Sequence, residues 1–297
     1  MTQISGTVLA VDVGGTKIEA ALVDDQGTVS GRTRVLTGGE DGDQLFDRVA
    51  DVVRGLREAP FFACGVGCGG PMTPDGALVS PLNIPQWRNY PLRDRLAGLL
   101  GVEVHLDNDA KALALAEGWK GAAVGERNYL GMVVSTGVGG GIVLDGRLLE
   151  GQTGNAGHIG HVLVEPGGFP LPEHVPGVLE AEASGTAIAA MTGRPAEEAS
   201  PEVVERTGRM VGRAVGSVAN LLDLKLVVVA GSVALGFGAP FFAAAQAEVD
   251  RIASLDHSRG TRIVPAGLGE EGPLVGAAAL AFRGRGMDPL RGAADQA

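Results

Sequence analysis

Aromatic residues are scarce in this chain, at 4% of 297 residues, so any core must be built from aliphatic side chains, and the 45% of hydrophobic residues is ample for that. Cysteine is nearly missing. Cys64 and Cys68 are the only two, which excludes a disulfide-stapled fold. They lack the second pair that a structural zinc knuckle needs, so both are expected to be small packing residues. Basic charge is also short: 24 Lys and Arg against 35 Asp and Glu leave a net charge of −11. No basic cluster offsets it, which argues against nucleic acid and against an anionic membrane surface as partners. No uninterrupted apolar run is long enough to span a bilayer, and no signal peptide is evident, so a cytoplasmic protein is expected.

Glycine is present in excess, at 48 residues. The glycines fall at the ends of apolar runs rather than in a repeat, which points to loops lined by backbone. The length suggests two domains.

The most telling segment is Val8-Leu9-Ala10-Val11-Asp12-Val13-Gly14-Gly15-Thr16-Lys17. An apolar strand ends in an acid, two glycines, a hydroxyl and a lysine. Glycines at such a turn can aim bare N–H groups at anionic oxygens, and Asp12 can hold a metal-bound water. The pattern is not Walker A, which has a longer loop and a helix directly after its lysine. Ile18–Val23 is β-branched and apolar, so a second strand and a tight β-hairpin are predicted.

Further strands are predicted at 28–35, 61–66 and 102–106, with helices at 44–57, 92–100 and 110–119. The pattern then restarts: a strand at 129–135, a glycine-rich turn at 136–141 and a return strand at 142–144. Helices follow at 185–191 and 201–222, a strand at 226–230, a helix at 241–253, a strand at 263–265 and a last helix from Pro273. The repeated order of strand, glycine turn and strand suggests two related α/β halves around a cleft. The expected domains are 1–118, completed by the C-terminal helix 273–297, and 119–272. Asp12–Lys17, Gly67–Pro71, Asp107–Asp109, Ser135–Gly141 and Gly231-Ser232 all follow apolar strands, where open α/β sheets bind ligands.

Phosphoryl transfer needs a cradle for phosphates, a metal ion and a base aligned with the acceptor hydroxyl. Asp12, Gly14, Gly15, Thr16 and Lys17 could form one wall of the cradle, and Thr136, Gly137, Gly139 and Gly140 the other, with Gly231 and Ser232 nearby. Asp109 is the candidate base, although one of Asp107, Asn108 and Asp109 could cap the following helix instead. A sugar ring would suit short polar groups such as Asn83, Asn108, Asp109, His158, His161 and Glu180, with Gly70 at the sharp turn. His158 and His161 could alternatively hold a metal, with Glu165, Glu173 or His174 as partners, or be plain surface residues.

Asp12–Lys17, Leu82-Asn83-Ile84-Pro85-Gln86-Trp87, Asn108-Asp109-Ala110, Ser135–Gly141, Ala156-Gly157-His158-Ile159-Gly160-His161 and Leu179-Glu180-Ala181-Glu182-Ala183-Ser184-Gly185 occur in that order. Together they resemble the ROK (repressor, open reading frame, kinase) family of bacterial sugar kinases and sugar-responsive repressors, over nearly the whole chain. The resemblance implies a ribonuclease-H-like, actin-type fold of two α/β domains. It implies an ATP–Mg²⁺-dependent kinase that moves the γ-phosphoryl group to a hexose, commonly to its 6-hydroxyl, and a homodimer. It makes Asp109 the catalytic base. It gives sugar contacts to Asn83, Asn108, His158, His161 and Glu180, and phosphate contacts to the two glycine turns.

Two departures stand out. The family's zinc site joins the histidine matching His161 to three cysteines, but the corresponding run here is Leu171-Pro172-Glu173-His174-Val175-Pro176-Gly177-Val178. Structural zinc is therefore expected to be absent, with Pro170, Pro172 and Pro176 stiffening the loop and the placement of Glu180 open to change. Second, His158 stands where many members carry glutamate. The first strand begins within ten residues, so the helix-turn-helix that the repressor branch carries ahead of it is not expected. The expected function is a glucokinase-like hexose kinase. The alternatives are an N-acetylmannosamine or N-acetylglucosamine kinase and a catalytically silent sugar sensor. A dinucleotide oxidoreductase is disfavoured because no GxGxxG opens a helix after the first strand.

Overall fold

The computed structural model describes residues 6–172 and 174–291. Its contacts divide the chain into two units. The first holds residues up to Gly125, the segment Glu150–Ala156 and everything from Leu268, and the second holds Glu126–Leu149 and Gly157–Gly267. The expected division placed its limits at 118/119 and 272/273 and put the segment 150–156 with the second domain. Residues 292–297 of the expected C-terminal helix lie outside the described residues.

The first unit opens with strands β1 (Thr7–Val13), β2 (Lys17–Asp24) and β3 (Val29–Leu36). Helix α1 (Gly42–Arg54) follows, started by Asp41, whose carboxylate accepts the N–H groups of Asp43 and Gln44. Then come β4 (Ala63–Cys68), α2 (Leu92–Leu100), β5 (Glu103–Asn108) and α3 (Asp109–Lys120). The sheet order is β3-β2-β1-β4-β5, antiparallel through β1–β3 and parallel from β1 to β5. Alternation along the strands sends Leu9, Val11 and Val13 to a core with Leu45, Val49, Val53, Leu92 and Leu96. Cys64 and Cys68 are buried, unpaired members of the same core, and burial pushes both thiols up.

The second unit repeats the plan. Strands β6 (Tyr129–Val134), β7 (Val138–Leu144) and β8 (Arg147–Leu148) run antiparallel. Helices α4 (Leu179–Ala183), α5 (Gly185–Thr192) and α6 (Pro201–Leu222) precede β9 (Leu226–Ala230), α7 (Ser232–Phe237), α8 (Ala239–Ile252) and β10 (Arg262–Pro265). The order β10-β9-β6-β7-β8, read backwards as β8-β7-β6-β9-β10, is that of the first sheet, with β9 and β10 parallel to β6. Two such sheets with their helices constitute the ribonuclease-H-like, actin-type α/β fold. One expectation needs correcting. Gly139, Gly140 and Gly141 are not in a turn: they lie in β7, paired with Val133, Met132 and Gly131, and the turn is confined to residues 135–137. Glycine-rich sequence reads as a turn, but here the glycines let another segment approach the strand.

The chain then returns to the first unit as α9 (Gly272–Gly284), which covers the sheet face carrying Val8, Ala10, Ala21, Val23 and Ala63. The approach is close. A β-carbon at Gly65 would lie 1.8 Å from the carbonyl oxygen of Ala277.

Candidate functional site

In the first unit Asp12, Glu19 and Arg34 form a row across β1, β2 and β3, continued by Gly67 on β4 and Asp107 on β5. Paired residues share a face, and this is the face that α9 covers farther along the strands. Asp12 is 8% exposed. Burial, reinforced by the charges of Asp109 and Glu19, raises its carboxyl from 3.8 to about 7, although Lys17 and Arg32 oppose the rise. Gly67 leaves a gap here, bordered by Asp12, the Cα of Asp109 and Ala112.

The turn after β1 is tight. The Gly14 N–H donates to the Lys17 carbonyl at 3.0 Å, and Thr37 donates its hydroxyl to the Gly14 carbonyl at 2.7 Å. Gly14 therefore serves the turn itself. Gly15 and Thr16 are exposed at the tip, and a β-carbon at Gly15 would lie 3.0 Å from the Cβ of Asn83. Asn83, itself exposed, thus adjoins the first glycine turn. Lys17 reaches Glu19 at 2.7 Å. Glu19 is fully buried, and Arg32 and Arg34 also bond it. Burial alone would raise its carboxyl, but the bonds from Lys17 and Arg34 hold it below the usual carboxylate range. Reading the sequence did not single out Glu19; a glutamate in an apolar strand two residues after the turn was the available signal.

At the end of β5 three adjacent residues divide the work. The Asn108 side chain caps α3, accepting from the N–H groups of Ala110 and Lys111 at 3.0 and 3.3 Å. Asp107 pairs with Lys111 at 2.8 Å. Asp109 is left as the first helical residue, accepting the Ala110 N–H at 2.9 Å, and its charge is felt at both Asp12 and Cys68. Lys111 is buried and also bonds Glu150 and the Gly154 carbonyl, which holds the 150–156 segment to α3. Gly70 is buried just after β4, its carbonyl accepting the Leu82 N–H at 3.1 Å. A cavity of about 530 Å³ lies beyond Lys111, lined among others by Arg93, His105, Asp107 and Arg283. Neither Asp12, Asn83 nor Asp109 borders it.

In the second unit the turn after β6 is braced from behind. Ser135 N–H donates to the Gly137 carbonyl at 2.9 Å, the Gly185 N–H donates to the Ser135 carbonyl at 2.7 Å, and Thr186 donates its hydroxyl to the Thr136 carbonyl at 2.9 Å. Thr136 stands exposed at the tip. The Ser135 and Ser232 hydroxyls meet at 2.9 Å, and Gly231 adopts φ +102° where a β-carbon would come 2.3 Å from the Val134 carbonyl oxygen. Gly140 is buried beneath Gly157 and Ile159, and a β-carbon at Gly160 would lie 2.3 Å from the Val138 carbonyl oxygen. The glycines of β7 thus seat the histidine segment.

That segment carries His158 and His161, whose rings lie 6.1 Å apart, and His161 stacks on His174 at 6.0 Å. Glu180 is 7% exposed in the first turn of α4 and takes the Val138 N–H at 2.6 Å and His174 at 2.8 Å. Among the described residues no three His, Cys, Asp or Glu gather into a metal-holding group; Glu173, considered above as a metal partner, lies outside them. Leu171 and Val178, at positions where the family pattern has cysteine, pack with Ala181 and Ala187 in a small apolar core.

Comparison with known proteins gives these motifs a context. A family model described as ROK family matches residues 8–283. An N-acetylmannosamine kinase of Yersinia pseudotuberculosis is 34% identical over 254 residues, 78% of this chain and 85% of that protein. A glucokinase of Thermotoga maritima is 38% identical over 187 residues, 61% of this chain and 58% of that one. Among solved structures, a ROK family glucokinase of Streptomyces griseus, in complex with glucose and AMPPNP, superposes with a TM-score of 0.83 at 29% identity. The match covers 94% of this chain and all of that one.

Proposed function

The chain belongs to the ROK family, and from that premise we propose that it is an ATP-dependent sugar kinase acting on the 6-hydroxyl of glucose or a related hexose. The observation that carries this is the meeting of Asp12 and Asp109 around Gly67. Two acids crowded until one resists ionisation form a poor structural pair and a good place for a cation and a hydroxyl.

Asp109 accepts the proton of the sugar hydroxyl as that oxygen bonds to the γ-phosphorus and the bond to the ADP oxygen breaks. Its carboxylate chiefly orients the alcohol, because an alcohol loses its proton late in a loose transition state. Asn83, Asn108, His158, His161 and Glu180 meet the sugar hydroxyls, with Gly70 shaping the turn beside them. The exposed tips Gly15-Thr16 and Thr136-Gly137 offer backbone N–H groups to the phosphates, assisted by Lys17, with Gly231 and Ser232 behind the second turn. The paired carboxylates of Asp12 and Asp109 suit a hard cation, so Mg²⁺ bound with ATP would be held by Asp12 through water and would supply charge neutralisation to the transferring group. Lys17 is tied to Glu19 here, so gripping a phosphate requires it to be shared or exchanged.

The relation to the Yersinia kinase, which extends over more of this chain than that to the Thermotoga glucokinase, favours N-acetylmannosamine as a second reading of the substrate. The family's expectation of a cytoplasmic homodimer goes with either sugar, and sedimentation of the purified chain tests the dimer. The deciding experiment is ADP release over a panel holding glucose, mannose, N-acetylmannosamine and N-acetylglucosamine, with ATP or polyphosphate as donor. Turnover of one sugar with ATP is the expected result. Saturable sugar binding without turnover would make the protein a sensor.

A further inference from the structure

Glu180 is gripped from two sides. Its Oε2 accepts the Val138 N–H at 2.6 Å, and its Oε1 faces His174 Nε2 at 2.8 Å. The other ring nitrogen, Nδ1, stands 3.0 Å from the Pro172 carbonyl oxygen. That carbonyl can only accept, so Nδ1 carries a proton. A proton also lies between Nε2 and Oε1, whichever of the two groups owns it. The imidazole is thus fixed at both nitrogens, and the ring of His161 lies nearly parallel to it at an interplanar angle of 10°, 6.0 Å away centre to centre.

The segment bearing His174 is itself anchored. Glu182 accepts the Phe169 N–H and pairs with Arg206, and Leu171 and Val178 close an apolar cluster beneath it. A ring held this firmly can define the direction of a carboxylate. The Val138 N–H alone pins one oxygen and leaves the other free to swing about the terminal torsion, which is broad for glutamate. His174 removes that freedom.

We propose that His174 is a positioning residue that aims Glu180 at the sugar hydroxyls, resting on the reading of Glu180 as a sugar ligand. The four lone-pair directions of the carboxylate are half used by Val138 and His174, and the remaining two serve the substrate. An orienting partner behind a ligating group commonly matters almost as much as the ligand itself.

The test compares His174→Ala, His174→Gln, Glu180→Ala and the double variant His174→Ala/Glu180→Ala, with D-glucose and N-acetyl-D-mannosamine as probes. ATP turnover, calorimetric sugar binding and melting temperature are read for each. His174→Ala should raise the KM for the accepted sugar about tenfold, the loss of one charge-assisted bond, with kcat and the KM for ATP within about twofold. His174→Gln, which can still donate to Oε1, should recover most of that loss, and it carries the test if the alanine variant folds poorly. The double variant should bind sugar no worse than Glu180→Ala alone. A wild-type sugar KM in His174→Ala, beside a raised one in Glu180→Ala, overturns the role of His174 and leaves the kinase reading intact. A wild-type sugar KM in Glu180→Ala overturns it as well. Failure of the wild-type chain to bind or phosphorylate either sugar strikes at the kinase reading itself and takes this inference with it.

Discussion

Asp12 and Asp109 flank Gly67: a β-carbon there would lie 3.5 Å from Oδ1 of Asp12 and 3.6 Å from the Cα of Asp109. The arrangement is costly for the empty protein and useful once a cation and an alcohol arrive. Most of the expected behaviour of the first unit follows from it.

Asp12 keeps its proton in the folded chain up to about pH 7, against 3.8 for the ordinary carboxyl. Between those values the folded state binds the extra proton. The stability linked to this group is therefore full in acid and declines as pH rises through that window. Asp12→Asn removes the penalty. It should raise the melting temperature at pH 8, by up to ~4 kcal/mol of stability, leave it little changed at pH 4, and abolish turnover. In the wild type at low Mg²⁺, kcat/KM for ATP should fall as pH drops below about 7, and added Mg²⁺ should move that limb to lower pH. Calorimetric melts at the two pH values and a pH–rate profile check both; a less stable Asp12→Asn at pH 8 would contradict the burial argument.

Asp109→Asn keeps the size of the side chain and a hydrogen bond to a hydroxyl but removes the proton acceptor. Turnover should fall by about 10²–10⁴, with sugar affinity within a few-fold. Stability should hold, because the helix cap belongs to Asn108. Steady-state kinetics with direct sugar titration separate the two effects. Near wild-type turnover would remove Asp109 from the base role.

Much of this was legible in the sequence because strand ends announce themselves. The apolar runs at 8–13 and 226–230 and the proline-led helix at 201–222 lie where periodicity places them. What periodicity could not show is short or shared. Helices α4 and α7 have five and six residues, too few for an apolar stripe to repeat. The glycines of β7 carry no side chain to alternate, so a strand was mistaken for a turn. The division of labour among Asp107, Asn108 and Asp109 depends on Lys111 and on two backbone N–H groups, none of which spacing identifies. His174 was visible only as a metal candidate, because its tie to Glu180 runs through the path of a loop.

Two glycines on one strand should respond in opposite ways. Gly65→Ala would drive a methyl to 1.8 Å from the Ala277 carbonyl oxygen on α9. Backbone must move, and the loss should reach about 3 kcal/mol or more. Gly67→Ala meets its neighbours at 3.5–3.8 Å, ordinary contact. It should fold with a near-normal melting temperature yet lower kcat and raise the Mg²⁺ requirement, since its methyl enters the space between the two acids. Denaturant melts and Mg²⁺ titrations compare them. Equal stability losses would show that the space beside Asp12 is merely packed.

The segment 162–178 should stand without metal. Its ends are zipped, Val164 N–H to the Gly177 carbonyl at 2.9 Å and Leu179 N–H to the Val162 carbonyl at 2.9 Å. Arg213 reaches the Val164 carbonyl at 3.1 Å and pairs with Glu165 and Glu248. Leu171, at 6% exposure, plugs the apolar cluster. Elemental analysis should therefore find no stoichiometric zinc, and a chelator should leave both melting temperature and sugar KM unchanged. Leu171→Ala should cost about 2–4 kcal/mol and raise the sugar KM, because the segment it loosens is the one that carries His174 to Glu180. A chelator-sensitive melt would mean that a metal, not this packing, holds the segment in place.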